Sequence, residues 1–163
     1  MHKRIKLDIS GLGVIIYSPF AVAHILENED YLSRNYLEPG DVARHVNAGD
    51  LICFCTGSPG TYILECHDTE ACPTAVHNAA FKLRLGIKVR DGVFFRDVHD
   101  LMQWSQGLPH EACISLADGW YRVTVYTSPP ESGIIGDNQR IFIHFVSTID
   151  KPSFSWEGVP NLC

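Results

Sequence analysis

No stretch of this sequence offers the ~18 uninterrupted apolar residues of a membrane-spanning helix. The N-terminus comes nearest to a targeting signal, since Lys3, Arg4 and Lys6 precede an apolar run that reaches Phe20. Asp8 interrupts that run, Gly11 and Gly13 break it, and no small-residue cleavage site follows. It reads as two short strands, Ile5–Ile9 and Val14–Tyr17, and a cytoplasmic protein that does not engage a membrane is expected. Positive charge is also scarce: 13 Lys and Arg stand against 19 Asp and Glu, for a net charge of -6. A nucleic-acid-binding domain neutralises phosphates with a basic face, so this balance argues against nucleic acid as the partner.

Catalytic signatures are missing as well. There is no glycine-rich phosphate loop, no G-x-G-x-x-G beyond the bare Gly11-Leu12-Gly13, no H-E-x-x-H and no G-x-S-x-G elbow. Gly57-Ser58-Pro59-Gly60 sets a serine between glycines, but the following proline makes it a turn. His99 lies between Asp97 and Asp100, at spacings that do not face each other on a helix. The expectation is a protein that is not an enzyme and carries no cofactor.

Six cysteines are present, yet no C-x2-C pairs any of them. In a chain of 163 residues free thiols are the simpler expectation. Cys53 and Cys55 lie two apart in an apolar run, so on a strand both point to one face. Zinc accepts thiolate and imidazole, and Cys66, His67, Cys72 and His77 supply both within a short segment. A small metal-binding enzyme or sensor built on those four residues is the alternative functional reading.

What the chain does have is alternation. Phe81, Leu83, Leu85, Ile87 and Val89 alternate with Lys82, Arg84, Lys88 and Arg90, with Gly86 in the one gap. Period two places every apolar residue on one face of a strand and the bases on the other. That basic row is either the wet face of a half-buried strand or a seat for a phosphate or an acidic peptide. Asp91-Gly92 tolerates positive φ and predicts a hairpin to Val93–Arg96. Leu51–Thr56 and Thr61–Cys66 read as a hairpin around residues 57–60, and Cys113–Leu116 pairs with Tyr121–Thr127 around Asp118-Gly119. Ile141–Val146 is the last strand, after a polar loop over Ser128–Arg140.

Helical signals are few. Phe20–Leu26 forms a turn, and Asp41–Val46 a short helix with Asp41 near its start and Gly49 past its end. Asp97 caps a further segment that Gly107-Leu108-Pro109 stops. Residues 67–80 are polar and irregular around Pro73. Eight or nine short strands with one or two short helices predict a mainly β fold, an antiparallel β-sandwich or open barrel. One domain over residues 1–163 is expected, with 151–163 a loosely packed tail for which Phe154 and Trp156 offer anchors.

Charge is uneven along the chain. Between Glu27 and Glu70 nine acids stand against Arg34 and Arg44, while the remainder carries ten acids and eleven bases. The whole net charge therefore lies in one stretch, and a single-sign field steers an oppositely charged partner. Glu27, Glu29, Asp30, Glu38 and Asp41 are the candidate contacts for a basic protein partner. Trp104, Trp120, Trp156 and Tyr126 are candidates for a homo-oligomer contact, with core burial as their other home.

One layout stands out. Val42–Val46 and Gly49 lead into the strand Leu51–Thr56; later come the strand ending at Val89, the turn Asp91-Gly92, then Ile114-Ser115-Leu116-Ala117-Asp118-Gly119 and Trp120–Val125, reaching Thr127 and Pro129. This order, over residues 10–147, resembles the competence protein J family, small bacterial proteins known as nuclease inhibitors, and is similar to small β-rich immunity proteins. The segment 66–77, the loop 128–140 and the tail depart from that pattern. The resemblance implies inhibition by binding and names no target; the acidic stretch adds the expectation that the partner is a basic enzyme such as a nuclease.

Overall fold

The computed structural model describes residues 1–163. Nine strands form two sheets: β1 His2–Ile9, β2 Gly13–Tyr17, β3 Leu51–Cys55, β4 Gly60–His67, β5 Lys82–Val89, β6 Val93–Asp97, β7 Cys113–Ile114, β8 Gly119–Thr127 and β9 Asp137–Thr148. One sheet runs β1-β4-β9-β8-β5 and the other β3-β2-β6-β7. Period-two alternation places Leu83, Leu85, Ile87 and Val89 of β5 inward, and with inward residues of the other strands and apolar side chains of the helices and loops they join a core of 37 buried residues. The fold is mainly β and sandwich-like. One pair departs from antiparallel order, because β4 and β9 run parallel.

The turn chemistry is as expected, but the pairing is not. Asp91 and Gly92 have φ of 61° and 87°, yet β5 pairs with β8 while β6 pairs with β2 and β7. The same holds for β3 and β4, and for β7 and β8: each reversal crosses from one sheet to the other. The three expected hairpins are therefore corners of the sandwich. A turn residue sets the local chain reversal, whereas both faces of β2 and β6 are buried, and such strands pair wherever the core demands.

Four short helices lie outside the sheets: α1 Pro19–Val22, α2 Tyr31–Asn35, α3 Pro39–Ala48 and α4 Pro73–Asn78. Gly49 ends α3 with φ 71°, its N–H donating to the carbonyls of His45 and Val46. Residues 67–80 are not irregular throughout: Pro73 opens α4, since the first helical turn needs no N–H donor. The segment capped by Asp97 is a single 3₁₀ turn over Val98–Met102. No helix is long and apolar enough to cross a membrane.

The C-terminal segment, expected as a loose tail with Trp156 as an anchor, makes specific bonds to the rest of the fold. The Trp156 Nε1–H donates to the Arg84 carbonyl (3.2 Å), and the Trp156 backbone N–H and carbonyl bond the Asn47 side chain. Farther on, Cys55 N–H donates to Pro160 O (2.8 Å) and Leu162 N–H to Cys55 O (3.0 Å), with Leu162 buried. The segment thereby covers the free edge of β3, where unpaired backbone groups invite aggregation.

Candidate functional site

Register decides what the outward face of the five-stranded sheet presents. Opposed residues in a ladder share a face. His2 opposes His67, which opposes His144, which opposes Thr124 and then Arg84. The next row is Arg4, Glu65, Phe142, Tyr126 and Lys82. Lys6, Ile63 and Arg140 follow on one side, and Val146, Arg122 and Gly86, then Thr148, Trp120 and Lys88, on the other. Seven of the protein's 13 Lys and Arg residues stand on this single face: Arg4, Lys6, Lys82, Arg84, Lys88, Arg122 and Arg140.

Two clefts open on it. One, of about 760 Å³, lies between Arg4, Ile63, Arg140 and Phe142 and the loop 128–138, with Glu131 and Asp137 on its rim. The other, of about 430 Å³, lies beneath the segment 70–77 and is lined by Lys82, Arg84, Arg122, Thr124 and His77, with Glu70 as its one acid. Arg122 is ion-paired with Glu70, and Lys82 Nζ donates to the carbonyls of Val76 and His77. Arg84 and Arg140 are exposed and in no salt bridge.

A ring ladder separates the clefts. The imidazoles of His2, His67 and His144 stack at 4.5 and 4.7 Å, Tyr126 stacks on His144 at 5.8 Å, and Phe142 on Tyr126 at 4.9 Å. The Nδ1–H of His144 donates to Thr69 O (3.0 Å). Burial, followed by repulsion from His144 and His2, holds His67 below the usual histidine range. Burial also lowers His144, against the hydrogen bond to Thr69. Glu65 is buried beside this row. Burial raises its pKa, but hydrogen bonds from His2 (2.8 Å) and Arg4 (2.9 Å) outweigh that and hold the carboxylate charged.

The expected metal ligands do not assemble. Cys66 and His67 are consecutive on β4, so they point to opposite faces. Cys66 lies in the core, where burial pushes its thiol up to about 12, while His67 is in the ring ladder. Cys72 is exposed at the N-terminus of α4, where the backbone N–H groups of Ala75 and Thr74 lower its pKa, and His77 is exposed near the other end. No three His, Cys, Asp or Glu side chains converge closely enough to hold a metal ion.

Nor do the acids of the stretch 27–70 form one patch. Glu65 lies on β4, and Asp68 and Glu70 lie in the chain just after it, where the three pair with Arg4, the N-terminus and Arg122. Glu27, Glu29, Asp30, Glu38 and Asp41 lie between β2 and β3, and four of the five have local partners. Glu27 accepts from Gln106 N–H, Glu29 from Leu26 N–H and Asp30 from Ser33 N–H, while Asp41 faces Arg44 at 3.3 Å. Trp104 and Tyr126 are buried, and Trp120 and Trp156 are half-buried.

The bases that matter escaped sequence reading, apart from the row on β5. Arg4, Lys6, Arg122 and Arg140 each look like an ordinary wet-face residue of an isolated strand; only the order of strands gathers them. Arg90, expected with the β5 row, lies past the strand end over the Phe20 ring at 5.2 Å.

No family model matches the chain, and no curated protein matches it. Among solved structures it is similar to one titled "Crocagin biosynthetic gene J", with a TM-score of 0.59 over 88% of this chain and 96% of that chain, at 13% identity. A likeness at that identity shows the two-sheet fold and nothing about activity or partner. The resemblance to the competence protein J family rests on sequence layout alone.

Proposed function

We propose that this chain is a non-catalytic binding protein that takes an acidic polypeptide segment across the outer face of its five-stranded sheet. The observation that carries the reading is the gathering of seven bases and two clefts on that one face of a protein with a net charge of -6. Exposed ion pairs are worth roughly 0–1 kcal/mol each, so recognition needs several at once, and carboxylates spaced along an extended chain meet that need. Single-stranded nucleic acid is the weaker fit. It binds by stacking bases on free aromatic faces; here Tyr126 is buried, Phe142 is stacked on it, and Trp120 is engaged by Lys88 and Lys151. Docking of Glu27, Glu29, Asp30, Glu38 and Asp41 on a basic enzyme draws less support, because those acids are largely engaged with their own neighbours.

The test is fluorescence anisotropy with a glutamate-rich peptide and a single-stranded RNA of equal charge. The peptide is expected to bind at low salt and weaken as salt rises, because exposed charges are screened beyond about 8 Å at physiological ionic strength. Replacing Arg84 and Arg140 by Glu is expected to weaken it at least tenfold, about 1.4 kcal/mol for two contacts. Equal affinity for the variant and the parent, or preference for RNA, would refute the proposal.

A further inference from the structure

The six cysteines are free thiols, but two of them are placed to join. Cys55 is the last residue of β3, and its backbone pairs with Asn161 in parallel register. Side chains alternate along an extended segment, so Cys163, two residues on, falls on the same side as Asn161 and Cys55. The Cys163 thiol donates to Asn161 Oδ1 at 2.7 Å and rests on the turn after β3, where a Cβ added to Gly57 would lie 2.5 Å from its sulfur. Burial, and next the adjoining Cys55 thiol, raise the Cys163 pKa. Both cysteines are partly exposed and reachable by a small oxidant.

The other four are excluded by position. Cys53 and Cys66 are buried, Cys113 lies on β7 at the opposite edge of the sheet from β3, and Cys72 stands alone on α4.

We propose that Cys55 and Cys163 form a redox-controlled disulfide that staples the C-terminal segment to the edge of β3. The oxidant is a small-molecule disulfide of the glutathione type. A thiolate of one cysteine attacks a sulfur of the oxidant and expels one thiol, giving a mixed disulfide. The second cysteine attacks the protein sulfur of that mixed disulfide and expels the other thiol. Two protein thiols lose two electrons and two protons, one S–S bond breaks and one forms, and the oxidant leaves as two thiols. The staple does not depend on what the outer sheet face binds.

The protein is equilibrated with oxidised glutathione, quenched with acid and digested without reductant. A peptide containing Cys55 linked to one containing Cys163 is expected, with any glutathione adduct confined to Cys72 and Cys113. Oxidation is expected to raise the melting temperature by on the order of 10 °C, because the bridge closes a long loop of the unfolded chain. That increment is expected to vanish in Cys163→Ser and Cys55→Ser. Cys55 and Cys163 recovered free or separately glutathionylated, a bridge between other cysteines, or an increment that persists in Cys163→Ser would each overturn the proposal.

Discussion

Replacing Asp97 by Asn removes the charge from the best-satisfied carboxylate of the fold and leaves its shape unchanged. Asp97 is 6% exposed at the end of β6. Its Oδ2 accepts from Ser10 N–H (2.6 Å), Ser10 Oγ–H (2.9 Å) and Gly11 N–H (3.0 Å), and its Oδ1 from His99 N–H (3.0 Å). One side chain thus ties the β1–β2 corner to the start of the 3₁₀ turn. An asparagine keeps one acceptor. If its oxygen serves Ser10 and Gly11, its amide nitrogen faces the His99 N–H, donor against donor. The loss is one charge-assisted bond and weakening of three others, about 2–3 kcal/mol. At roughly 2–4 °C per kcal/mol for a chain of this length, the melting temperature falls by about 5–10 °C. Scanning calorimetry at neutral pH measures it. The pH dependence supplies a second reading. Burial raises the carboxyl pKa, but the bonds from His99, Gly11 and Ser10 outweigh it and leave the folded value below the ordinary one. Stability from a depressed carboxyl is complete above its unfolded pKa of about 3.9 and is lost as pH falls through the folded value. The gap between parent and Asp97→Asn therefore closes in acid. A variant that melts within about 1 °C of the parent at neutral pH would refute the tie assigned to Asp97.

Two further outcomes follow from the same geometry. His67 and His144 have folded pKa values below the unfolded value of about 6.5, so the unfolded chain binds more protons as pH falls below it, and stability declines toward the folded values; His144→Gln is expected to flatten that decline in denaturant titrations at pH 7 and 5. Gly49→Ala is expected to destabilise by at least about 1–2 kcal/mol, because φ is 71° and the added Cβ would lie 2.8 Å from the Trp120 ring; a variant as stable as the parent in the same titrations would contradict it.

Much of the local structure was legible in the residues themselves. The alternation from Leu83 to Val89 told which side chains of β5 enter the core, because side-chain direction on a strand depends only on the chain's own period; Phe81, expected on the same face, precedes the strand and is exposed. Asp97 and Gly49 marked a cap and a helix end, and Asp91-Gly92 a reversal, because each is a property of a few adjacent backbone groups. Cys66 and His67 are neighbours in sequence, yet the same period sends them to opposite faces. What no local pattern held was the order β1-β4-β9-β8-β5. That order follows from burying two faces against each other across long stretches of chain, and it turned three expected hairpins into corners. It also brought Arg4, Arg122 and Arg140 beside Lys82 and Arg84, parted Glu65 from Glu27, and laid Cys163 against Cys55. Strand period and turn chemistry, both local, set which residues of a strand face inward and where the chain turns; the packing of the two sheets, which is not local, set which outward residues meet.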